Sequence, residues 1–588
     1  MFRRTRNCGE LRATNVGETV TLIGWVHRRR TFGGLTFIDL RDRHGITQLV
    51  FNPTISPEAH AVADECRSEY VLAARGVVEH RPEGTANPNL PTGEIDVLVR
   101  EAEILNPAKT PPFEINQDAD VDEMLRLKYR YLDLRRERQR DIIVLRHKVM
   151  RCVRSYLDAH DFVEIETPNL VNRTPGGARE FLVPSRVNPG AFYALPQSPQ
   201  QYKQLLMVAG MERYYQIARC FRDEDPRADR GPEFTQIDIE MSFVDQEDVL
   251  QLYEGLVTEL VHHVTPHLRV QQEPWPRMTY QQAIDRYGTD KPDLRFGLTI
   301  VDLTDAFGSG FQVFDLARAS GGQVRAIRAP GCAGYSRREI DELTAIARSR
   351  GAKGLASIAY TAEGVRSPIA KFFDEDTIER VRTLTEAATG DLVLIVADQP
   401  SVVAEALGEL RNVVGARLGL TDPNVLAWCW ITDMPAFEWD DGAKNWVAKH
   451  HQFTMPLDED LPLLDRNPGL VRAKQYDAVC NGMEMAGGSI RIHRRDVQEK
   501  IFQVLGMSDE EARSLFGHLL EAFEYGTPPH GGIASGLDRL VMVLAREDSM
   551  RETIAFPKTG SGAEPMTGAP SKLPASELRE LHLKVVDV

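Results

Sequence analysis

The sequence predicts a mixed α/β (α+β) chain of several domains. Its 588 residues exceed the length of about 250–300 residues at which single hydrophobic cores stop growing. Five short alternating segments open the chain, and helical periods mixed with further strands follow them. Residues 215–243 have strand periodicity on both sides of a charged loop. We therefore expect a small all-β unit followed by larger α/β units, one of which contains an antiparallel hairpin.

The composition is typical of a globular protein, with 42% hydrophobic and 27% charged residues. The first ten residues, MFRRTRNCGE, are not followed by an apolar stretch, and no apolar run approaches the ~20 residues of a membrane span. We expect no membrane association. Seven cysteines without a CxxC pair favour a reducing cytoplasm over a disulfide framework or a structural zinc site. The net charge of −16 argues against indiscriminate coating of nucleic acid but permits a local basic patch.

Residues 1–108 contain five strand candidates and one short helix near residues 57–67, after the third strand. This order is typical of an OB-type barrel, a common oligonucleotide-binding scaffold. The ends of the first three strands carry cations, an aromatic ring and an amide, which single-stranded nucleic acid recognition requires; they are Arg28, Arg29, Arg30, Phe37, Arg41 and Gln48. The alternative is a solvated barrel rim.

Residues 109–140 are predicted to form a linker, first Pro-rich and then strongly basic. The basic part is either a helical hinge that touches phosphates or a solvated helix. From residue 141, apolar residues every fourth position predict a long helix. FVEIETPNL is then predicted as a strand, RTPGGARE as a loop, and the segment after it as a helix with Gln200 and Lys203 near its start.

The hairpin at residues 215–243 has an apolar and a polar face. Ile237, Ile239 and Met241 point one way, and Gln236, Asp238 and Glu240 point the other. Three consecutive polar positions on one face favour the lining of a wet pocket, and the alternative is a solvated edge hairpin.

Residues 291–420 are predicted to form a separate α/β insert in which no chemical constellation is recognisable. The segment 421–560 then carries His450 and, on either side of an Asn-Gly turn, Asp477 and Glu484. Two strands could bring these carboxylates to one cation, although plain solvation is the alternative. Residues 561–588 are predicted to be a polar extension.

The segment GGIASGLDRL predicts a Gly-rich turn that feeds a helix, which is a generic phosphate site. The P-loop, the GxGxxG fingerprint, HExxH and GxSxG are all absent from the sequence. A nucleotide enzyme without these motifs needs another phosphate clamp. Arg222 and Arg539 would serve, because guanidinium groups match phosphate oxygens bidentately.

Several segments together carry a family resemblance. ETP after a long helix, FRDEDPRADRGPEFTQIDIE and GGIASGLDRL resemble motifs 1, 2 and 3 of the class II aminoacyl-tRNA synthetases. YRYLDLRR, YALPQSPQ, TDKPDLRFG, GGSIRIHRRD and IAFPKTG resemble the bacterial aspartyl-tRNA synthetases in particular. The similarity covers essentially the whole chain.

The resemblance implies a fold and a reaction. Residues 1–108 would be the anticodon-binding OB barrel, 109–140 the hinge, and 141–290 with 421–560 the antiparallel-sheet catalytic domain. Residues 291–420 would be the bacterial insertion domain. The enzyme would join L-aspartate to the α-phosphate of ATP and then move the aspartyl group to the 3′-end of tRNA-Asp. Whether tRNA-Asn is also charged stays open, and Pro168 in motif 1 implies a homodimer.

The resemblance also implies site residues. The catalytic arginines are Arg222 for the α-phosphate and Arg539 for the γ-phosphate. The remaining ATP-binding positions are Asp223, Glu224, Phe234 on adenine, Glu484, Gly536, Leu537 and Asp538. Aspartate would be bound by Gly176, Gln200, Lys203, Arg222, Asp238, His450 and Arg491, and the Mg²⁺ cofactor by Asp477 and Glu484. The anticodon positions are Arg30, Phe32, Phe37, Gln48 and Gly84.

Some positions depart from the family pattern. Gly176 stands where a glutamate normally meets the substrate ammonium, Gly231 replaces a glutamine, Ala486 a glycine and Ser535 an aromatic residue. We expect activity with a raised Michaelis constant for aspartate. A second reading is a tRNA-binding or regulatory protein whose catalytic step has decayed, and a third is a relative that charges asparagine. Phe32 matches neither tRNA-specificity group, and Gly84 leans toward the group that also charges tRNA-Asn.

Overall fold

The computed structural model describes residues 2–117, 119–173, 179–225 and 227–586. The chain divides into two compact units. One unit comprises residues 1–144, 554–559 and 563–571, and the other comprises residues 145–553, 560–562 and 572–588.

The first unit contains a closed five-stranded barrel. A short helix, Pro57–Glu65, follows the third strand, and the Ser56 side chain caps it by accepting from the Ala59 N–H. The predicted OB-type barrel is therefore confirmed. Its strands are Thr19–Phe32, Leu35–Asp42, Gly45–Phe51, Val71–His80 and Ile95–Asn106.

One strand-end cation of the barrel is not on its surface. Arg41 is buried, and its guanidinium donates to both carboxylate oxygens of Glu69 at 2.9 and 2.8 Å. Arg135, in the predicted hinge, donates to the same carboxylate at 3.0 Å and lies 5.0 Å over the Trp25 ring. Glu69 therefore joins Arg41 of the barrel to Arg135 of the hinge, and Arg41 is not available to nucleic acid. The hinge forms two short helices, Glu123–Lys128 and Arg130–Asp133.

The second unit is built on an eight-stranded, mainly antiparallel sheet, which we call the central sheet. In spatial order its strands are Arg277–Thr279, Trp428–Pro435, Arg472–Cys480, Met483–Ile490, His530–Gly536, Glu233–Ser242, Arg213–Phe221 and Val163–Glu164. The main helices outside the insert are Glu137–Ala159, Gln200–Val208, Gln246–Val264, Tyr280–Tyr287, Arg495–Val504, Asp509–Ala522, Leu537–Ala545 and Ala575–Glu580.

The predicted hairpin lies inside the central sheet. The strand Glu233–Ser242 pairs with Arg213–Phe221 on one side and with His530–Gly536 on the other. The solvated edge hairpin is therefore wrong. Ile237, Ile239 and Met241 pack into the core, as their alternation predicts.

Two predicted elements differ from the structure. FVEIETPNL forms only a two-residue strand, Val163–Glu164, which pairs in parallel with Arg213–Phe221. The predicted Gly-rich turn is instead the strand His530–Gly536. Its glycines allow close approach, since a Cβ at Gly532 would collide with the Glu240 carboxylate.

The predicted insert contains its own five-stranded sheet. In spatial order the strands are Val301–Asp302, Gln323–Ala329, Leu392–Asp398, Ala356–Thr361 and Gly364–Arg366. The helices are Gln312–Ala319, Arg337–Ser349, Glu375–Leu384 and Pro400–Arg417. The α/β character predicted for this segment is confirmed, whereas the bounds of the six predicted domains stay predictions.

The remaining strands form three two-stranded ribbons. They are Leu182–Pro184 with Phe192–Ala194, Arg269–Val270 with Val425–Leu426, and Phe437–Asp440 with Asn445–Ala448. Among the helices that the structure describes, none combines the length and the apolar character needed to cross a membrane.

Arg411 is a buried clamp in the helix Pro400–Arg417. Its guanidinium donates to the carbonyls of Asp293, Phe296 and Gly297 at 2.6, 2.8 and 2.9 Å. The guanidinium carbon lies 4.3 Å from the Phe296 ring centroid. The helix therefore fixes the segment 293–297.

Replacing Arg411 by Met should lower the free energy of unfolding by about 3 kcal/mol, because buried carbonyls lose their donors. Urea unfolding of the full chain measures this effect. Arg417→Met is the matched control, since Arg417 meets Glu342 at 3.3 Å on the surface and should cost less than about 1 kcal/mol. Equal effects of the two variants would contradict the clamp.

Candidate active site

A cluster of four buried charges lies on the polar face of the central sheet. Lys203 Nζ is 2.7 Å from Asp238 Oδ1 and 3.2 Å from Glu240 Oε2. Arg491 Nε is 3.0 Å from Glu240 Oε1, and its Nη2 is 3.2 Å from Glu240 Oε2. All four side chains are at most 2% exposed. We call these residues the charge cluster.

Strand and helix periods explain why these residues meet. Asp238 and Glu240 are two positions apart and therefore share a face of their strand. Lys203 is in the first turn of the helix Gln200–Val208, which begins at Gln200. The side-chain amide of Gln200 donates to Gln204 Oε1 at 3.2 Å. Arg491 follows directly after the strand Met483–Ile490.

The cluster keeps Glu240 ionised. Burial alone would raise the pKa of Glu240, but Arg491 and Lys203 outweigh this effect and hold its pKa at about 2. Arg491 Nη1 also lies 2.7 Å from His451 Nε2 and donates to Ser489 Oγ at 2.6 Å. Arg491 is thus fixed from several sides and has a defined orientation.

Asp238 has one acceptor to spare. Its Oδ2 is buried and has no hydrogen-bond partner among the described residues. Burial raises the pKa of Asp238, although Lys203 opposes the shift. A positively charged group placed at Oδ2 would relieve that cost. The position is therefore suited to an ammonium ion.

Arg222 and Phe234 lie together near the hairpin loop. The Arg222 guanidinium carbon is 5.0 Å from the Phe234 ring centroid, and the Arg222 backbone N–H donates to Pro232 O at 2.9 Å. Arg222 Nε is buried without a hydrogen-bond partner in the described part of the chain. An unsatisfied guanidinium stacked on an aromatic ring suits a nucleotide, with the phosphate on the cation and the base on the ring.

Arg539 joins the hairpin loop to the acidic strands. It donates to Asp229 Oδ2 at 3.1 Å and to the backbone carbonyl of Glu484. Asp223 and Glu224 are exposed on the same loop. The structure thus brings both predicted arginines to the region around the hairpin loop.

Asp538 is held inside the protein. Its carboxylate accepts from the Thr235 N–H at 2.7 Å and from Arg146, and the side chain is buried. Leu537 is also fully buried, while Gly536 is the residue before the helix Leu537–Ala545. The geometry gives Asp538 a positioning role, and its predicted contact with ATP stays a prediction.

The predicted acidic pair is present. Asp477 is buried, and burial together with the charge of Glu484 raises its pKa well above the usual range. A Cβ on Gly487 would lie 3.0 Å from Asp477 Oδ1 and 3.6 Å from Glu484 Oε1, so that the glycine leaves space beside both carboxylates. Lys291 Nζ lies 2.9 Å from Glu484 Oε2. The sequence did not single out Lys291.

His450 is exposed, and its ring centroid lies 4.4 Å from that of His451. The dense protein around the ring, together with the charges of Arg491, Lys203 and Arg222, lowers the pKa of His450 to about 4, against the opposing charge of Glu484. The charges of Lys203, Arg222, Glu484 and Arg491 thus all act on the His450 ring.

Two departures from the family pattern are neighbours in the sheet. Ala486 and Ser535 are paired across adjacent strands, and the Ser535 hydroxyl lies 2.8 Å from the Tyr253 hydroxyl. A side chain at Gly231 would press on Met550 Cε at 3.3 Å. Gly176 lies outside the described residues, and its predicted effect stays a prediction.

The predicted anticodon positions share the barrel surface. Arg30 and Phe37 are cross-strand partners, and Arg30 Nη2 lies 3.2 Å from both Gln48 Oε1 and Asp39 Oδ1. Phe32 is 81% exposed at the end of its strand. Gly84, with φ of +81°, lies in an exposed turn. Arg30, Phe37 and Gln48 form one polar and aromatic patch.

Comparison with known families agrees with this fold. A model of the family "tRNA synthetases class II (D, K and N)" matches residues 122–560, and a model of an "OB-fold nucleic acid binding domain" matches residues 20–105. The chain therefore belongs to the class II tRNA synthetases. Within this class, the matching model is the one for the D, K and N group.

Similar curated proteins extend over the full chain. An aspartate–tRNA(Asp/Asn) ligase of Moorella thermoacetica is 58% identical over 99% of this chain and 97% of its own length. An aspartate–tRNA ligase of Geobacillus kaustophilus is 55% identical over 100% of this chain and 99% of its own length.

Solved structures share the fold at low identity. Asparaginyl-tRNA synthetase from Pyrococcus horikoshii, in complex with asparaginyl-adenylate, has a TM-score of 0.60 at 19% identity and covers 95% of this chain and 99% of its own. Aspartyl-tRNA synthetase from Entamoeba histolytica has a TM-score of 0.57 at 19% identity and covers 93% of this chain and 89% of its own. The predicted class II catalytic architecture is confirmed.

Sequence reasoning missed the roles of Glu240 and Lys291. The period-two polar face included Glu240, and that pattern was a sufficient signal for its burial beside Asp238. No sequence pattern pointed to Lys291, because its contact with Glu484 joins residues 193 positions apart.

Replacing Glu240 by Gln should destabilise the protein by about 3–5 kcal/mol, because Arg491 and Lys203 lose a buried counter-charge. The folded pKa of about 2 lies below the ordinary 4.5, so that the ionised form stabilises fully above pH 4.5 and its contribution is lost toward pH 2. The stability gap between wild type and variant, measured by urea unfolding, should be constant above pH 4.5 and narrow below it.

The control for this prediction is Glu459→Gln. Glu459 meets Arg472 at 2.8 Å with 69% of its side chain exposed and should contribute less than about 1 kcal/mol. A gap that does not depend on pH below 4.5 would count against the assigned charge state of Glu240.

Proposed function

We propose that this chain is an aspartate–tRNA ligase. It activates L-aspartate with ATP to aspartyl-adenylate and transfers the aspartyl group to the 3′-end of tRNA-Asp. The observation that carries the proposal is the charge cluster, in which Lys203 lies beside Asp238 and Arg491 beside Glu240, and Asp238 Oδ2 is free for an ammonium. Relatives at 51–58% identity named as aspartate–tRNA ligases support it.

Charge balance in the cluster explains the choice of substrate. Lys203 and Arg491 are offset by Asp238 and Glu240, so that the buried cluster is neutral. Aspartate adds an ammonium at Asp238 Oδ2 and a side-chain carboxylate at Lys203 and Arg491, whose charges cancel within the cluster, while its α-carboxylate lies at the α-phosphate of ATP. Asparagine adds only the ammonium and leaves one positive charge uncompensated, which costs several kcal/mol in buried sites.

The arginines supply the electrostatics of adenylate formation. The α-carboxylate oxygen of aspartate attacks the α-phosphorus of ATP, and pyrophosphate leaves. Arg222 would neutralise charge at the α-phosphate, Arg539 would hold the γ-phosphate, and Phe234 would stack on adenine. Positioning and charge neutralisation are sufficient for phosphoryl chemistry, and no protein nucleophile is needed.

The acidic pair fits Mg²⁺. Asp477 and Glu484 both lie against Gly487, and within the described ranges no group of three or more His, Cys, Asp or Glu side chains could hold a metal. Mg²⁺ in nucleotide sites is held by one or two carboxylates, with water and phosphate oxygens as the remaining ligands. When bound, the ion would offset charge on the phosphates.

The other features of the enzyme follow from the same proposal. The barrel patch of Arg30, Phe37 and Gln48 would read the anticodon, with Phe32 and Gly84 at its rim. We infer a cytoplasmic enzyme, since translation takes place there. We also infer a homodimer, by the resemblance of the segment around Pro168 to motif 1.

Aspartate-dependent exchange of pyrophosphate into ATP tests the proposal. The purified chain should catalyse exchange with aspartate and give at most about 1% of that rate with asparagine, which corresponds to about 2.7 kcal/mol of discrimination. Lys203→Met should raise the Michaelis constant for aspartate at least about 100-fold, because the side-chain carboxylate loses a buried cation.

Glu459→Gln serves as the variant control, since the ion pair of Glu459 with Arg472 is exposed and does not belong to the buried charge cluster. No exchange at saturating aspartate would favour the competing reading of a tRNA-binding protein without catalysis. Exchange supported equally by asparagine would favour the asparagine-charging reading.

We further propose that the enzyme charges tRNA-Asn as well as tRNA-Asp. Most of the similar proteins that are more than 50% identical to this chain are named as ligases for tRNA(Asp/Asn). In addition, the exposed Phe32 presents a ring without a hydrogen-bonding group. The kcat/KM for purified tRNA-Asn should lie within about tenfold of that for tRNA-Asp, or about 1.4 kcal/mol. A tRNA with an unrelated anticodon is the control, and discrimination above 1,000-fold against tRNA-Asn would contradict the proposal.

A further inference from the structure

Lys291 places a cation of the protein itself beside the acidic pair. Its Nζ lies 2.9 Å from Glu484 Oε2, and both side chains are about one-third exposed. Asp477, the other member of the pair, is buried, and its burial and the charge of Glu484 raise its pKa. In the absence of other ligands, Lys291 therefore supplies positive charge where we propose a divalent cation.

The backbone around Lys291 is fixed by contacts with the insert. Arg411, in the helix Pro400–Arg417, donates to the carbonyls of Asp293, Phe296 and Gly297. A Cβ on Gly482 would lie 3.6 Å from Asp293 Cβ and 3.9 Å from the Lys291 carbonyl oxygen. The segment 291–297 thus lies against the turn that joins the strands of Asp477 and Glu484.

We propose that Lys291 is a positioning residue that competes with the divalent cation for Glu484. The ammonium holds the carboxylate until the cation arrives, and it then moves away, since two cations cannot share one carboxylate at close range without repulsion. Lys291 thereby sets the concentration of Mg²⁺ at which the site fills. The inference rests on the proposed metal site but not on the choice of amino acid.

The proposal gives the insert a chemical role. Lys291 is the first residue of the predicted insert, and Arg411 lies near its end. The insert therefore sets the position of the segment that carries the competing ammonium. A change in the packing of the insert would change the affinity of the site for metal, without direct contact between the insert and substrate.

Binding of Mn²⁺ to the full chain without ATP, measured by electron paramagnetic resonance of the free ion, tests the inference. Lys291→Met should bind Mn²⁺ about 3- to 10-fold more tightly than wild type, because a partly exposed ion pair no longer competes. Lys291→Arg should stay close to wild type, since it keeps the charge. Lys353→Met is the matched control, because Lys353 meets Asp398 at 3.3 Å and makes no ion pair with Asp477 or Glu484 in the described structure.

The outcomes separate the two proposals. Unchanged or weaker Mn²⁺ binding by Lys291→Met, with binding lost in Glu484→Gln, overturns the role of Lys291 and leaves the metal pair in place. Equal binding by wild type and Glu484→Gln overturns the metal assignment and this inference together. A purely structural role would lower the thermal midpoint of Lys291→Met in EDTA without changing its affinity for Mn²⁺.

Discussion

The neutrality of the charge cluster is the constraint on which the rest of the site depends. Four ionised groups can be buried in one protein interior only if each has a partner, because an isolated buried charge costs several kcal/mol. Lys203, Asp238, Glu240 and Arg491 meet this requirement among themselves. The requirement fixes the relative positions of a helix and two strands, since a displacement of any of them would separate a pair.

The same neutrality links stability to recognition. A cluster that is balanced without substrate accepts only ligands that bring equal and opposite charges to it. Asp238 offers one unpartnered oxygen, and Arg491 is held by Glu240, Ser489 and His451 before any ligand arrives. Because the groups are already oriented, a ligand does not have to order them, and less binding free energy is lost. In the acidic pair, Lys291 is the counter-charge of Glu484.

Small residues in the central sheet make room for these charges. Gly532 leaves space for the Glu240 carboxylate, and Gly487 leaves space beside Asp477 and Glu484. Ala486 and Ser535 fill a paired position in the sheet, where the Ser535 hydroxyl meets Tyr253. Gly531 and Gly532 of the segment GGIASG are therefore explained by close packing inside a strand. The sequence predicts a Gly-rich turn here, because local composition does not distinguish a flexible turn from a crowded strand.

The sequence by itself determined the barrel, the long helices and the alternating faces of the hairpin, because these follow from local periodicity. The candidate site residues come from motifs that resemble a known family. The tertiary structure decided which charges meet. Glu240 was visible as a polar position, but its partners Lys203 and Arg491 lie on other elements, and Lys291 and Glu484 are far apart in the chain. Arg41 appeared to be a surface cation and is buried against Glu69. Periodicity assigns a side chain to a face, whereas its partner depends on the packing of distant segments.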